Sequence, residues 1–165
     1  MADYRLQTLL QIRERAEEEA KNAFAQAMQV LNKAKAEQKR LEEDLAQRKA
    51  QRKARVLAYF DEMMSKGVGI NNMAMMGRFE QRLKDEEAEV ALDIERQKEM
   101  VKVAEKGVEL RRLEMAEAAK ELKAIEKHKE KWGVQLKKER DDREQMSQEE
   151  IGSALFLARQ RKEGG

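Results

Sequence analysis

The chain has 165 residues, 41% of them charged and 4% aromatic, with a net charge of +2, no proline and no cysteine. Near neutrality removes bulk electrostatics as a case for nucleic-acid binding, and the lack of cysteine excludes disulfides and thiol nucleophiles while suiting a reducing cytoplasm. A composition rich in Ala, Glu, Lys, Leu and Arg at helical spacing points to coiled coil, whose narrow seam offers no cleft for excluding water from a reaction. The expectation is therefore a cytoplasmic, all-α, non-catalytic protein with no cofactor and no metal.

The opening residues Met1-Ala2-Asp3-Tyr4-Arg5 form no apolar signal-peptide core, and no apolar run approaches the length of a membrane span. Neither export by a cleaved signal nor membrane insertion is expected. From Leu6, alternating steps of four and three trace a heptad seam through Leu10, Arg13, Glu17, Ala20, Phe24, Ala27, Leu31, Ala34, Gln38, Leu41, Leu45, Arg48, Arg52, Arg55 and Tyr59. Its polar members gather towards the end. This first arm covers residues 3–65.

Ser65-Lys66-Gly67-Val68-Gly69-Ile70-Asn71-Asn72 then breaks the pattern. Glycine reaches positive φ without steric cost and asparagine tolerates it, so residues 66–72 are predicted to be a turn. The second arm, residues 73–146, resumes the seam at Leu83 and Glu87. It continues through Val90, Ile94, Gln97, Val101, Ala104, Val108, Arg111, Met115, Ala118, Leu122, Ile125, Lys129, Trp132 and Leu136. Ser147-Gln148-Glu149-Glu150 has a capping-box pattern that could start a short helix over 147–165, with a frayed end.

Charge chooses between a folded hairpin and two parallel chains. In a hairpin about Gly67–Asn71, residue i faces residue 139 − i. The basic block Arg48, Lys49, Arg52, Lys53 and Arg55 then meets Asp85, Glu86, Glu87 and Glu89. Glu42, Glu43 and Asp44 meet Arg96 and Lys98, and Glu17, Glu18 and Glu19 meet Lys120 and Lys123. A parallel pair would stack each block on its twin. Single exposed pairs are weak, but several agreeing in sign select one register. The fold class is a long antiparallel two-helix coiled-coil hairpin in a single domain, its tip near residues 65–72.

Sites for chemistry are sparse. His128 is the sole histidine and lies beside the seam, where a solvent-exposed role is expected and no zinc site can form. Gly67-Val68-Gly69 lacks the preceding strand and the Gly-Lys-Ser/Thr of a phosphate loop. The basic run Arg48–Arg55 is matched by its acidic partner block and needs no nucleic acid. The tip differs: Tyr59, Phe60, Met63, Met73, Met76, Phe79 and Leu83 concentrate soft apolar and aromatic side chains where two helices have no third layer to cover them. An exposed methionine-rich patch suits a protein partner.

Three segments carry a family resemblance. Tyr4-Arg5-Leu6-Gln7-Thr8-Leu9-Leu10-Gln11-Ile12-Arg13 resembles the start of the FliJ/YscO family, the central stalk proteins of type III secretion ATPases. Gly67 through Met73, with Met76, Phe79 and Leu83, is similar to that family's turn and the apolar line after it. His128-Lys129-Glu130-Lys131-Trp132, Arg143-Glu144-Gln145 and Glu149-Glu150-Ile151 resemble the distal arm of its injectisome branch. The resemblance implies a non-enzymatic stalk whose chain ends sit against a hexameric ATPase, with Leu6, Leu9, Leu10, Arg13, Trp132 and Leu136 at the ring-facing pole. It also implies a tip directed at the cytoplasmic domain of the export gate, and secretion chaperones or the needle-length ruler as further partners. A holdase chaperone using the same tip on unfolded clients, or a structural coiled coil, is the alternative.

Overall fold

A computed structural model describes residues 3–67 and 71–164, without the side chains of Asn71 and Asn72. Two helices account for nearly all of it: α1, Gln7–Ser65, and α2, Asn71–Glu163. No strand occurs among the described residues. The protein is an all-α helical hairpin. Proline would remove a backbone donor and clash with the preceding turn, and its absence lets both helices run unbroken.

The termini follow local chemistry. At the entry to α1, the Gln7 amide donates to the Tyr4 carbonyl at 3.0 Å and the Leu10 amide to Leu6 at 2.9 Å. At its exit the amides of Lys66 and Gly67 donate to Met63 and Met64, and Gly67 stands at φ 69°. Left-handed backbone there satisfies the last carbonyls and ends the helix, as expected of this glycine. Val68, Gly69 and Ile70 of the predicted turn lie outside the described residues. Asn71 and Asn72, assigned to the turn from sequence, belong to α2.

The restart expected at Ser147 does not occur, because α2 continues to Glu163. A capping serine must leave helical geometry, and nothing from Val134 to Ile151 forces it to; Gln145 instead donates to Glu149 across that point.

The chain divides into two compact units, Met1–Ala20 with Met115–Gly165, and Lys21–Glu114. In the second, Leu31 and Ala34 of α1 pack on Val101 and Ala104 of α2, with Val108 against them. Leu83, Val90 and Ile94 are buried on the same seam. Gln97 donates to the Ala34 carbonyl at 2.9 Å, Arg52 pairs with Glu87 at 2.7 Å and Arg48 with Glu86 at 3.3 Å. In the first, Tyr4, Leu10 and Leu122 are buried, and Arg13 meets Glu121 at 2.6 Å. Every predicted seam position is buried or half-buried except Arg55 and Arg111. Val56 is half-buried where Arg55 is not, since a guanidinium costs more to dehydrate than a valine.

The 139 − i rule is met near the turn, where Arg52 faces Glu87 and Tyr59 faces Phe79. It drifts further along: Arg48 takes Glu86 where the rule gives 91, and Arg13 takes Glu121 where it gives 126. The seam turns an apolar position to its partner every three or four residues, so a one-turn slip only exchanges heptad position a for d and periodicity does not separate these registers. The expected meeting of Glu42–Asp44 with Arg96 and Lys98 is replaced by pairs within one helix, Arg48–Asp44, Arg96–Asp93 and Lys98–Glu95. Such neighbours are already held together by the helix and lose less freedom on pairing.

Candidate functional site

Two clusters hold the sequence-predicted site residues, one in each unit. In the unit Lys21–Glu114, the turn brings the end of α1 to the start of α2. Tyr59 stacks on Phe79 with ring centroids 4.3 Å apart and 15° between planes. The Arg82 guanidinium lies 6.0 Å from the Phe79 centroid. Offset stacking with a nearby cation holds this pair in one arrangement.

Of the predicted tip residues, Met73 is open to solvent, 71% exposed, and its neighbours Met64 and Met75 are exposed with it. Tyr59, Phe60, Met63, Met76 and Phe79 are half-buried. Leu83 is a correction. At 5% exposure it is a seam residue and offers no contact surface. It falls four positions before Glu87 and seven before Val90, the spacing that aims a side chain at the opposing helix. The tip is therefore a methionine rim, Met64, Met73 and Met75, over an aromatic base formed by Tyr59 and Phe79.

The unit Met1–Ala20 with Met115–Gly165 holds the residues predicted for the ring-facing pole. Leu10 is buried, and Leu6, Leu9, Arg13, Trp132 and Leu136 are half-buried. Tyr4, 7% exposed and not among the predicted pole residues, packs beside Trp132. Its ring lies 5.2 Å from that of Trp132 and 5.8 Å from that of His128. Its hydroxyl is 2.5 Å from His128 Nδ1, a hydrogen bond whose direction follows the imidazole tautomer. Lys129 donates to the Gln7 side chain at 3.1 Å. A signal was available: the hairpin rule sets Tyr4 opposite residue 135, and His128 and Trp132 are four apart on one helix face. His128 is exposed, as expected, yet it ties down the start of the chain.

Among the described residues Glu87 is the one buried polar side chain, 6% exposed; its Oε1 has no partner while its Oε2 accepts from Arg52. Among the described residues no group of three or more His, Cys, Asp or Glu is placed to hold a metal ion. Among them also no helix is long and apolar enough to cross a membrane. One cluster offers flexible apolar side chains to solvent, and the other is an ordered aromatic knot around Tyr4, His128 and Trp132.

Comparison with known proteins agrees with the hairpin. The chain is similar to the solved structure of CT670 from Chlamydia trachomatis, assigned there as a YscO homolog. The TM-score is 0.75 at 22% identity, over 98% of this chain and 99% of that one. At that identity the likeness establishes the fold. No curated protein sequence matches significantly. The profile of YscO-like proteins matches residues 1–162, nearly the whole length. The chain belongs to the YscO-like family.

Proposed function

We propose that this chain is a non-catalytic central stalk and adaptor of a type III secretion system, acting at the cytoplasmic face of the apparatus. The observation that carries the reading is the family match across residues 1–162, on a chain whose fold is a helical hairpin. In this reading the unit that pairs the start of the chain with α2 engages the hexameric export ATPase through the surface around Tyr4, Arg13, Trp132 and Leu136. The methionine rim at the turn engages the cytoplasmic domain of the export gate. Secretion chaperones or the needle-length ruler are further partners of the same surfaces.

The aromatic knot supports this division of labour. Tyr4, His128 and Trp132 fix the chain start to α2, so a ring would meet a preorganised surface rather than two loose ends. The test is to add the purified protein to its cognate export ATPase. Ring assembly and ATP hydrolysis should rise, with no hydrolysis by this chain alone, and Trp132→Ala should weaken the stimulation. Unchanged assembly and turnover would remove the stalk reading.

A further inference from the structure

The seam of the unit Lys21–Glu114 buries one charged side chain among its described residues. Leu83 and Val90 are buried on α2, and between them, at steps of four and three, stands Glu87, 6% exposed. Arg52 reaches across from α1 to its Oε2 at 2.7 Å, while its Oε1 has no partner. An ion pair placed here adds little to stability, because both charges leave water to form it. Its larger effect falls on arrangements in which it is broken.

The other contacts across this seam tolerate a slip of one turn. The cluster of Leu31, Ala34, Val101 and Ala104 carries no polar group that a slip would strand. Gln97 donates to a backbone carbonyl, that of Ala34, and a helix repeats its carbonyls every turn. Tyr59 would exchange Phe79 for contact with Met76 or Leu83. Arg48 and Glu86 are 38% and 45% exposed, so water screens their attraction. Arg52 and Glu87 are different. A slip in one sense sets Glu87 against Val56, half-buried and apolar, and strands the carboxylate out of water. Arg55 beside it lies outside the buried seam. In the other sense Glu87 gains Arg48, but Arg52 comes onto Leu83, 5% exposed.

We infer that the Arg52–Glu87 pair selects the register of the hairpin near the turn, so that the two side chains act as positioning residues for the Tyr59–Phe79 stack one heptad further on. Either slip takes the partner from one buried charge, which disfavours it by about thirtyfold in population. A seam of leucines at this level would hold the helices together as well and leave their register open. The inference does not rest on the secretion reading.

The chain has no cysteine, so engineered pairs in the full chain report register without background. Val56→Cys with Leu83→Cys samples the present register. Phe60→Cys with Leu83→Cys, and Val56→Cys with Phe79→Cys, sample the two one-turn slips, since a disulfide spans Cα atoms no more than about 7 Å apart. With Arg52 and Glu87 in place, oxidation by glutathione disulfide should close the first pair at least about tenfold faster than either of the others. Adding Arg52→Leu and Glu87→Leu should speed closure of a slipped pair about tenfold, while circular dichroism shows helicity kept and the melting temperature does not fall. Exchanging the charges, Arg52→Glu with Glu87→Arg, should return the slipped pairs to their slow rate. A role in stability alone leaves the pattern of closure unchanged in the leucine variant, and that outcome overturns the inference. Slipped pairs that close as fast as the first with Arg52 and Glu87 in place overturn it too, as does a charge exchange that behaves like the leucine variant.

Discussion

The Tyr59–Phe79 stack decides whether the aromatic base of the turn belongs to the fold or to the contact surface. Read from sequence alone, an exposed tip predicts a cost of about 1 kcal/mol or less for Phe79→Ala. The structure raises that figure. Phe79 is half-buried and stacked at 4.3 Å. A fully buried Phe→Ala costs about 3–5 kcal/mol, and the partial exposure of Phe79 brings this towards the lower end, roughly 2–3 kcal/mol. Of this the ring–ring contact itself accounts for about 0.5–1.5 kcal/mol. In a chain of this size 2 kcal/mol lowers the melting temperature by about 4–8 °C. Urea and thermal denaturation of Tyr59→Ala, Phe79→Ala and the double variant yield the coupling directly. A cost for Phe79→Ala below about 0.5 kcal/mol, with no coupling to Tyr59, refutes the argument, because a stacked pair cannot be lost without both. Met73→Ser serves as the functional counterpart. Its side chain is exposed, so stability should change by no more than about 0.5 kcal/mol, while binding to the export-gate domain, the partner proposed for the turn, should fall.

Other expectations follow from the buried groups. Arg52→Ala leaves Glu87 as a buried carboxylate with no counter-charge; breaking such a pair costs about 3–5 kcal/mol, and solvent at the one-third-exposed Arg52 reduces this to about 2 kcal/mol. Replacing both by leucine should be neutral or stabilising in the same denaturation assay, and equal losses from the two changes would contradict the assignment. Tyr4→Phe keeps the ring on Trp132 and should cost about 1 kcal/mol for the hydroxyl; Tyr4→Ala should cost about 3 kcal/mol. Trp132 is the sole tryptophan, so its emission should move to longer wavelength in Tyr4→Ala and stay in place in Tyr4→Phe. Hydrogen bonds from Arg40 and Arg112 hold the carboxyls of Glu37 and Glu109 below the usual glutamate range. Their contribution is present above the ordinary glutamate value and is lost as pH falls through the depressed one. Glu37→Gln with Glu109→Gln should therefore lower the melting temperature slightly at neutral pH and leave it unchanged in acid, so that melting depends less on pH.

Most of the architecture is legible in residue order, because its cause is local. The seam steps from Leu6 to Arg52 and from Leu83 to Val108 record which face of each helix must leave water. Gly67 marks where α1 ends, since only a residue without Cβ takes positive φ freely. The sign of the charge blocks excludes the parallel alternative. The chain ends and the turn also carry their family likeness in the residues themselves.

What the sequence leaves open concerns distances between residues far apart in the chain. After a one-turn slip a heptad seam exchanges a for d yet still turns apolar residues to its partner, so only packing distinguishes Arg13–Glu121 from a pair one turn away. The exposure of an apolar cluster depends on what lies across from it. Phe79 and Leu83 both lie on the apolar line after the turn, yet Phe79 stacks on Tyr59 and stays partly exposed while Leu83 loses nearly all of its surface to the seam. Tyr4 is a single aromatic near a chain end until α2 places His128 and Trp132 beside it. Helical period and helix ends are set by neighbours within a turn or two, and the sequence by itself determines them. Register and burial are set by residues up to 128 positions away, the separation of Tyr4 and Trp132, and only the tertiary structure decides them.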